Sequence, residues 1–226
     1  MYIQLESQVI NYEHTGEGRP LILLHGNGED HHIFDELTME LSKRYEIYAL
    51  DSRGQGESAT PNEYHYEDMA QDVARFIEYY NIVKPVIIGF SDGGIVALLT
   101  AIRHPDLVGE LIVCGANTSP AGLTFKSRHG IKKDYKKTKS DLIGMMLREP
   151  NITDEELRSI RIPTVVIAGE RDIIKPKHTQ HIVDMIPEAT LRVMEGEDHG
   201  SYVIHSDKLA SIIKKYIPAH PTGGVY

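Results

Sequence analysis

Tryptophan is absent from this sequence, phenylalanine occurs four times and cysteine once. The single Cys114, inside the apolar run LIVCG (111–115), has no intrachain partner. A disulfide framework is therefore excluded, and the thiol is expected to be a small core residue. Positive charge is in deficit: 24 Lys and Arg against 33 Asp and Glu give a formal net charge of −9. That balance argues against nucleic acid or an anionic membrane as the default partner. Long apolar runs are also missing, and no window approaches the ~18 apolar residues of a membrane span. The N-terminal MYIQLESQVINYE carries neither the basic stretch nor the apolar core of a leader, so a cytoplasmic protein is expected. GEGRP (16–20) lacks the Lys and Ser/Thr of a phosphate-binding loop, and no metal-ligand spacing occurs. Neither cofactor nor metal is expected.

What is present is a regular alternation. The runs 21–25 (LILLH), 46–50 (EIYAL), 85–89 (PVIIG), 111–115 (LIVCG), 164–169 (TVVIAG) and 190–195 (TLRVME) are rich in Val, Ile and Leu and bounded by Gly or Pro. They read as buried parallel strands. Helix-like segments separate them at 32–43, 66–80, 92–104, 177–186 and 202–216. At 226 residues the chain holds one sizeable domain. The pattern predicts an α/β fold with a mostly parallel central sheet and helices on both faces. Residues 2–15 read as an antiparallel hairpin at its edge, and the tail PAHPTGGVY as disordered.

One stretch breaks the rhythm: residues 120–160 contain no strand candidate but three short helical segments. They are expected to form a small helical cap on a core made of 1–119 and 161–226. Its first part carries Lys126, Arg128, Lys132, Lys133, Lys136, Lys137 and Lys139 against Asp134 alone. A solvated helix face accounts for such a run, and a positive rim steering anionic substrates is the sharper alternative.

The chemistry is concentrated at GFSDGG (89–94), where a strand meets a helix. In the frame G-x-S-x-G, Gly89 and Gly93 flank Ser91, whereas centring the pattern on Asp92 would set Phe90 where the turn needs glycine. Ser91 is thus the residue expected on a strained turn with its hydroxyl exposed above the sheet. A serine hydroxyl is inert until a base takes its proton, so a histidine and an acid should follow. Asp172 lies in the loop after the strand TVVIAG, and His199 in the loop after TLRVME. Active sites of open α/β sheets gather at such carboxyl ends. Asp198 is the competing acid, and Asp172 also suits a turn or helix cap. The oxyanion hole is expected from the backbone N–H of Asp92 and that of Asn27, in HGNG after the first long strand. His25 there reads as a structural hydrogen-bonding residue. Leu123, Phe125, Met145 and Met146 of the cap, with Ile173, Ile174 and Tyr202, are expected to line an apolar acyl or alcohol pocket. Apolar cap residues also serve simply to pack a cap.

Taken together, HGNG, GFSDGG, GERD and EDHG, with LDSRGQGES (50–58), closely resemble the α/β-hydrolase superfamily, in particular its esterase and lipase-like members. The resemblance runs from about Leu21 to Tyr216, interrupted by the cap. It implies Ser91 as nucleophile, His199 as general base and then acid, and Asp172 as the group fixing the imidazole tautomer. Asn27 and Asp92 would donate backbone amides, and Asp51 and Arg53 would be structural. The short cap implies an open pocket. The expected function is a serine hydrolase of a small-molecule carboxylic ester or related acyl compound. A cofactor-free lyase or carbon–carbon bond hydrolase on the same triad, and a slow-turnover ligand-binding sensor, are the alternatives.

Overall fold

The computed structural model describes residues 1–6 and 8–219. Strands β1 (Tyr2–Leu5), β2 (Gln8–Thr15), β3 (Arg19–Leu24), β4 (Tyr45–Leu50), β5 (Val86–Phe90), β6 (Glu110–Cys114), β7 (Thr164–Arg171) and β8 (Ala189–Asp198) form one sheet. Its order is β1-β2-β4-β3-β5-β6-β7-β8. From β4 to β8 every neighbouring pair is parallel, and β2 alone runs against the rest, antiparallel to both β1 and β4.

Alternation along each strand decides which layer a side chain joins. On β3, Ile22 and Leu24 face one core, with Met69, Val73 and Phe76 of α2 (Tyr66–Tyr79), the apolar side of α3 (Asp92–Arg103) and Ile182 of α7 (Pro176–Met185). Leu21 and Leu23 face the other, with Leu37 and Leu41 of α1 (Asp35–Leu41) and Leu209 and Ile213 of α8 (Leu209–Tyr216). All four β3 residues are at most 2% exposed, and burying each such side chain contributes about 1.5–3 kcal/mol. Both faces are therefore covered, which is why these strands read as continuous apolar runs rather than alternating ones.

Two helices are shorter than their periodicity suggests. The segment expected from 32 begins as a 3-10 turn, His31–Phe34, before α1. The segment expected from 202 is a series of turns until Leu209, because His205 takes a φ of 46° that no right-handed helix accommodates. The tail expected to be disordered lies outside the described residues from His220 onward.

Between β6 and β7 the chain forms α4 (Phe125–Thr138), α5 (Asp141–Arg148) and α6 (Asp154–Ser159), and no strand. Helix α4 buries none of its residues, and among the described residues none of its basic side chains, nor Lys139 beyond it, joins an ion pair. This segment is tied down at its start. Thr124 N–H donates to the Ile173 carbonyl at 2.8 Å and Lys175 N–H to the Gly122 carbonyl at 2.9 Å, with Leu123 opposite Ile174. No helix among the described residues is long and apolar enough to cross a membrane.

Candidate active site

The connection after β3 leads to β4 on one side, and that after β5 to β6 on the other. Their carboxyl ends therefore bound a crevice where the winding reverses. Ser91 sits there, between β5 and α3, at φ 53° and ψ −115°. A non-glycine residue in that conformation costs on the order of 1–3 kcal/mol and persists only where its surroundings over-determine it. They do so here. The Ser91 N–H donates to the Cys114 carbonyl at 2.8 Å, and its own carbonyl accepts from Gly94 and Ile95 at 3.0 and 3.2 Å. A Cβ on Gly89 would collide with the Gly93 carbonyl, and one on Gly93 with that of Leu24. The two glycines of the pattern thus let the turn close and let α3 press onto β3.

His199 Nε2 lies 3.0 Å from Ser91 Oγ, and its Nδ1 lies 2.7 Å from Asp172 Oδ1. Burial pushes the Asp172 carboxyl up, but the bond and charge of His199 and the N–H groups of Ile174 and Gly169 outweigh it and hold the acid below its ordinary value. With an ionised acceptor there, Nδ1 carries the ring proton and Nε2 presents its lone pair to the serine hydroxyl. Asp198 is occupied elsewhere: Oδ1 accepts from Gly200 and Ser201 N–H at 3.1 and 3.0 Å, shaping its own turn. Asn117, after β6, bonds the Ser119 carbonyl.

The loop after β3 is pinned from several directions. His25 Nε2 accepts from Ser52 N–H at 2.9 Å, so Nδ1 bears the hydrogen and donates to the Gly26 carbonyl at 2.7 Å. Burial pushes the His25 pKa down, partly offset by that carbonyl, in keeping with a neutral ring. Gly26 N–H donates to Glu29 and Gly28 N–H to Gln55, at 2.9 and 2.6 Å. In a trans peptide the N–H points opposite to the C=O, so with the Gly26 carbonyl turned onto His25, the Asn27 N–H faces the other way. Gly26 itself abuts Ser91, since a Cβ there would stand 3.2 Å from the Ser91 Cβ. The Asp92 N–H, in the first turn of α3, has no intrahelical acceptor.

Asp51 and Arg53 are buried in support of this loop. The Asp51 carboxylate accepts from Asn11, Glu57 N–H and His31 N–H, and Arg53 grips Asp72 at 2.7 and 2.8 Å. Glu29, Gln55 and Tyr66 were not evident as neighbours of the site from sequence. Glu29 lies three residues beyond the glycine it holds, a spacing that signals a local side-chain bond, but Gln55 and Tyr66 arrive from separate elements.

The expected pocket lining separates into two groups. Leu123 lies opposite Ile174 in the short ladder after Asp172, where the Ile173 carbonyl accepts from Thr124 N–H, and Met146 is half-buried on α5. Phe125 is 87% exposed, standing off the start of α4 beside His129. Met145 and Tyr202 have no exposed surface. Met145 packs into the core shared by α2 and α3, and Tyr202 into the opposite core, its hydroxyl 3.5 Å from the Ile167 carbonyl. Met145 and Tyr202 are corrected, since neither has surface with which to line a pocket. A cleft of about 380 Å³ lies behind Asp172, between Ile174, Thr179, Leu191 and Val193. Ser91 and His199 are not among its walls.

A profile of the family described as alpha/beta hydrolase fold matches residues 19–144. The AB hydrolase superfamily protein YisY of Bacillus subtilis (strain 168) is 27% identical, over 95% of this chain and 98% of its own length. A pimeloyl-(acyl-carrier protein) methyl ester esterase of Aliivibrio salmonicida (strain LFI1238) is 24% identical, over 91% of this chain and 95% of its own. Among solved structures, the esterase EaEST from Exiguobacterium antarcticum superposes with a TM-score of 0.81 at 21% identity. That match covers 95% of this chain and 96% of the esterase, and at such identity it speaks for the fold.

Proposed function

The chain belongs to the alpha/beta hydrolase fold family of enzymes, and from that premise we propose that it is a serine hydrolase cleaving a small carboxylic ester or related acyl compound through an acyl-enzyme. One observation carries the reading: the 3.0 Å and 2.7 Å contacts that link Ser91, His199 and Asp172 in series. In the proposed cycle Ser91 Oγ bonds to the substrate carbonyl carbon as its proton passes to His199 Nε2. The carbonyl oxygen becomes an oxyanion, held by the backbone N–H groups of Asn27 and Asp92. Collapse breaks the ester C–O bond, and the imidazolium returns its proton to the leaving alkoxide, releasing an alcohol. Water then adds to the acyl carbon, losing a proton to His199. The second collapse frees the carboxylic acid and restores the Ser91 hydroxyl.

Residues 120–160 act in this reading as a small cap on the core of 1–119 and 161–226. Leu123, Ile173 and Met146 are the apolar side chains assigned to the acyl or alcohol group. The choice of an ester bond is supported by the name of the Aliivibrio salmonicida relative, a methyl ester esterase. The test is fluorophosphonate labelling together with turnover of short- and medium-chain p-nitrophenyl esters by the wild type and Ser91→Ala. Labelling at Ser91, with turnover lower by up to about 10⁶ in the variant, is the expected result. A wild type that neither labels nor turns over any ester would overturn it.

A further inference from the structure

Resting on that reading, we infer that the side chains of the two amide donors brace the oxyanion hole: Asn27 and Asp92 are positioning residues for each other's backbone N–H. Asn27 Nδ2 donates to Asp92 Oδ2 at 2.8 Å, across a gap of 65 residues in sequence. One side chain belongs to the loop after β3 and the other to the first turn of α3, so this bond joins the two elements that supply the hole. No backbone hydrogen bond between these elements does the same at this point. Three neighbouring backbone groups are already taken: Gly26 N–H by Glu29, the Gly26 carbonyl by His25, Gly28 N–H by Gln55. Among the described residues, the Asn27 side chain makes the one hydrogen bond from this loop to α3.

Asp92 suits a fixed strut. It is 4% exposed, its Oδ2 accepts from the Asn27 amide, and the Tyr66 phenol lies near enough to act on the carboxyl. Burial pushes its carboxyl up, while those two donors and the charge of His199 act in the opposite sense. A buried acid with partners on two other elements holds its rotamer because leaving either donor unpaired is costly. Oxyanion donors contribute through being in place before charge develops. A strut between them therefore acts on the chemical step and not on ground-state binding.

The experiment measures kcat, KM and the rate of fluorophosphonate labelling for Asn27→Ala, Asp92→Ala, Asp92→Asn, Asn27→Asp and the exchanged pair Asn27→Asp with Asp92→Asn. Melting temperatures are recorded for each. Both alanine variants are expected to lose about 10- to 100-fold in kcat and in labelling rate, below the loss of a whole donor, with KM changed less than about threefold. The double variant Asn27→Ala with Asp92→Ala, measured alongside, should be no slower than Asp92→Ala alone, since the bond the two residues share is already broken there. Asp92→Asn keeps an acceptor oxygen and should lose less in kcat and labelling rate than Asp92→Ala. Asn27→Asp sets two carboxylates face to face and should be the slowest at neutral pH, recovering as the pH falls and one oxygen of the pair is protonated. The exchanged pair rebuilds the bond with its direction reversed and should recover most of the loss.

Wild-type kcat and labelling in folded alanine variants would overturn the brace while leaving the hydrolase intact. So would an exchanged pair that folds but stays as slow as Asn27→Asp. If an alanine variant does not fold, the exchanged pair and Asn27→Asp still decide. A wild type that resists the phosphonate is a different failure, that of the hydrolase reading itself.

Discussion

Gly115 ends the strand run LIVCG, yet its role is set by a residue 84 positions away. It takes a φ of +61°, and a Cβ there would stand 2.8 and 2.9 Å from Cε1 and Nδ1 of His199 and 3.5 Å from Asp172 Oδ2. The imidazole rests on the space a side chain would fill. Gly115→Ala should therefore push the ring off Ser91 and Asp172, and a misplacement of about 1 Å costs on the order of 10² in rate. Ester kinetics would show kcat falling with little change in KM, and unfolding a loss of about 1 kcal/mol or more for the left-handed backbone. Wild-type kcat in this variant would mean that the ring has slack. Cys114, the neighbour, is only a packing residue: burial pushes its thiol far up, so it offers no thiolate at neutral pH.

At the scale of single elements, the segment between β6 and β7 separates local stability from chemistry. Helix α6 carries a complete capping box: Thr153 accepts from Glu156 N–H at 3.2 Å, and the Glu156 carboxylate accepts from Thr153 N–H at 2.8 Å. Thr153→Ala is expected to cost about 1 kcal/mol in urea unfolding while ester turnover per folded molecule stays unchanged. A loss of kcat equal to that of an active-site variant would show that α6 shapes the site. Helix α4, by contrast, has no buried residue and depends on its N-cap, where Thr124 accepts from Ser127 N–H, and on α5. Its lysines were legible as a solvated face because apolar residues recur too sparsely along it to build a stripe.

Across the whole molecule, buried titratable groups couple stability to pH. Folding favours neutral His25 and His178, both pushed down by burial, so their contribution is complete above about pH 6.5 and is lost as pH falls through their lower folded values. Asp172, held below its ordinary value, adds a second loss in stronger acid, below about pH 4. Asp92, raised by burial, has the opposite sign and is least favourable at high pH. His25 and His178 therefore lower the melting temperature as the pH falls from about 7 to 5, against His32 and His65, where burial is outweighed by carboxylate partners that raise them, and His25→Gln should remove its share of that loss. An unchanged slope would assign the loss to other groups. The sequence by itself determined the strands, most helices and the turn at Ser91, and it pointed to Asp172 and His199, because each depends on a local pattern: an apolar run, two flanking glycines, a loop at a strand's carboxyl end. It overextended the helix before α8, where a single left-handed residue overrides a good apolar period. Tertiary structure alone decided that Met145 and Tyr202 are core, that Phe125 stands in solvent, and that Asn27 meets Asp92, Gln55 meets Gly28 and Gly115 meets His199. Those facts depend on which face of which element packs against which, and packing between residues 65 or 84 positions apart leaves no periodic trace in a chain.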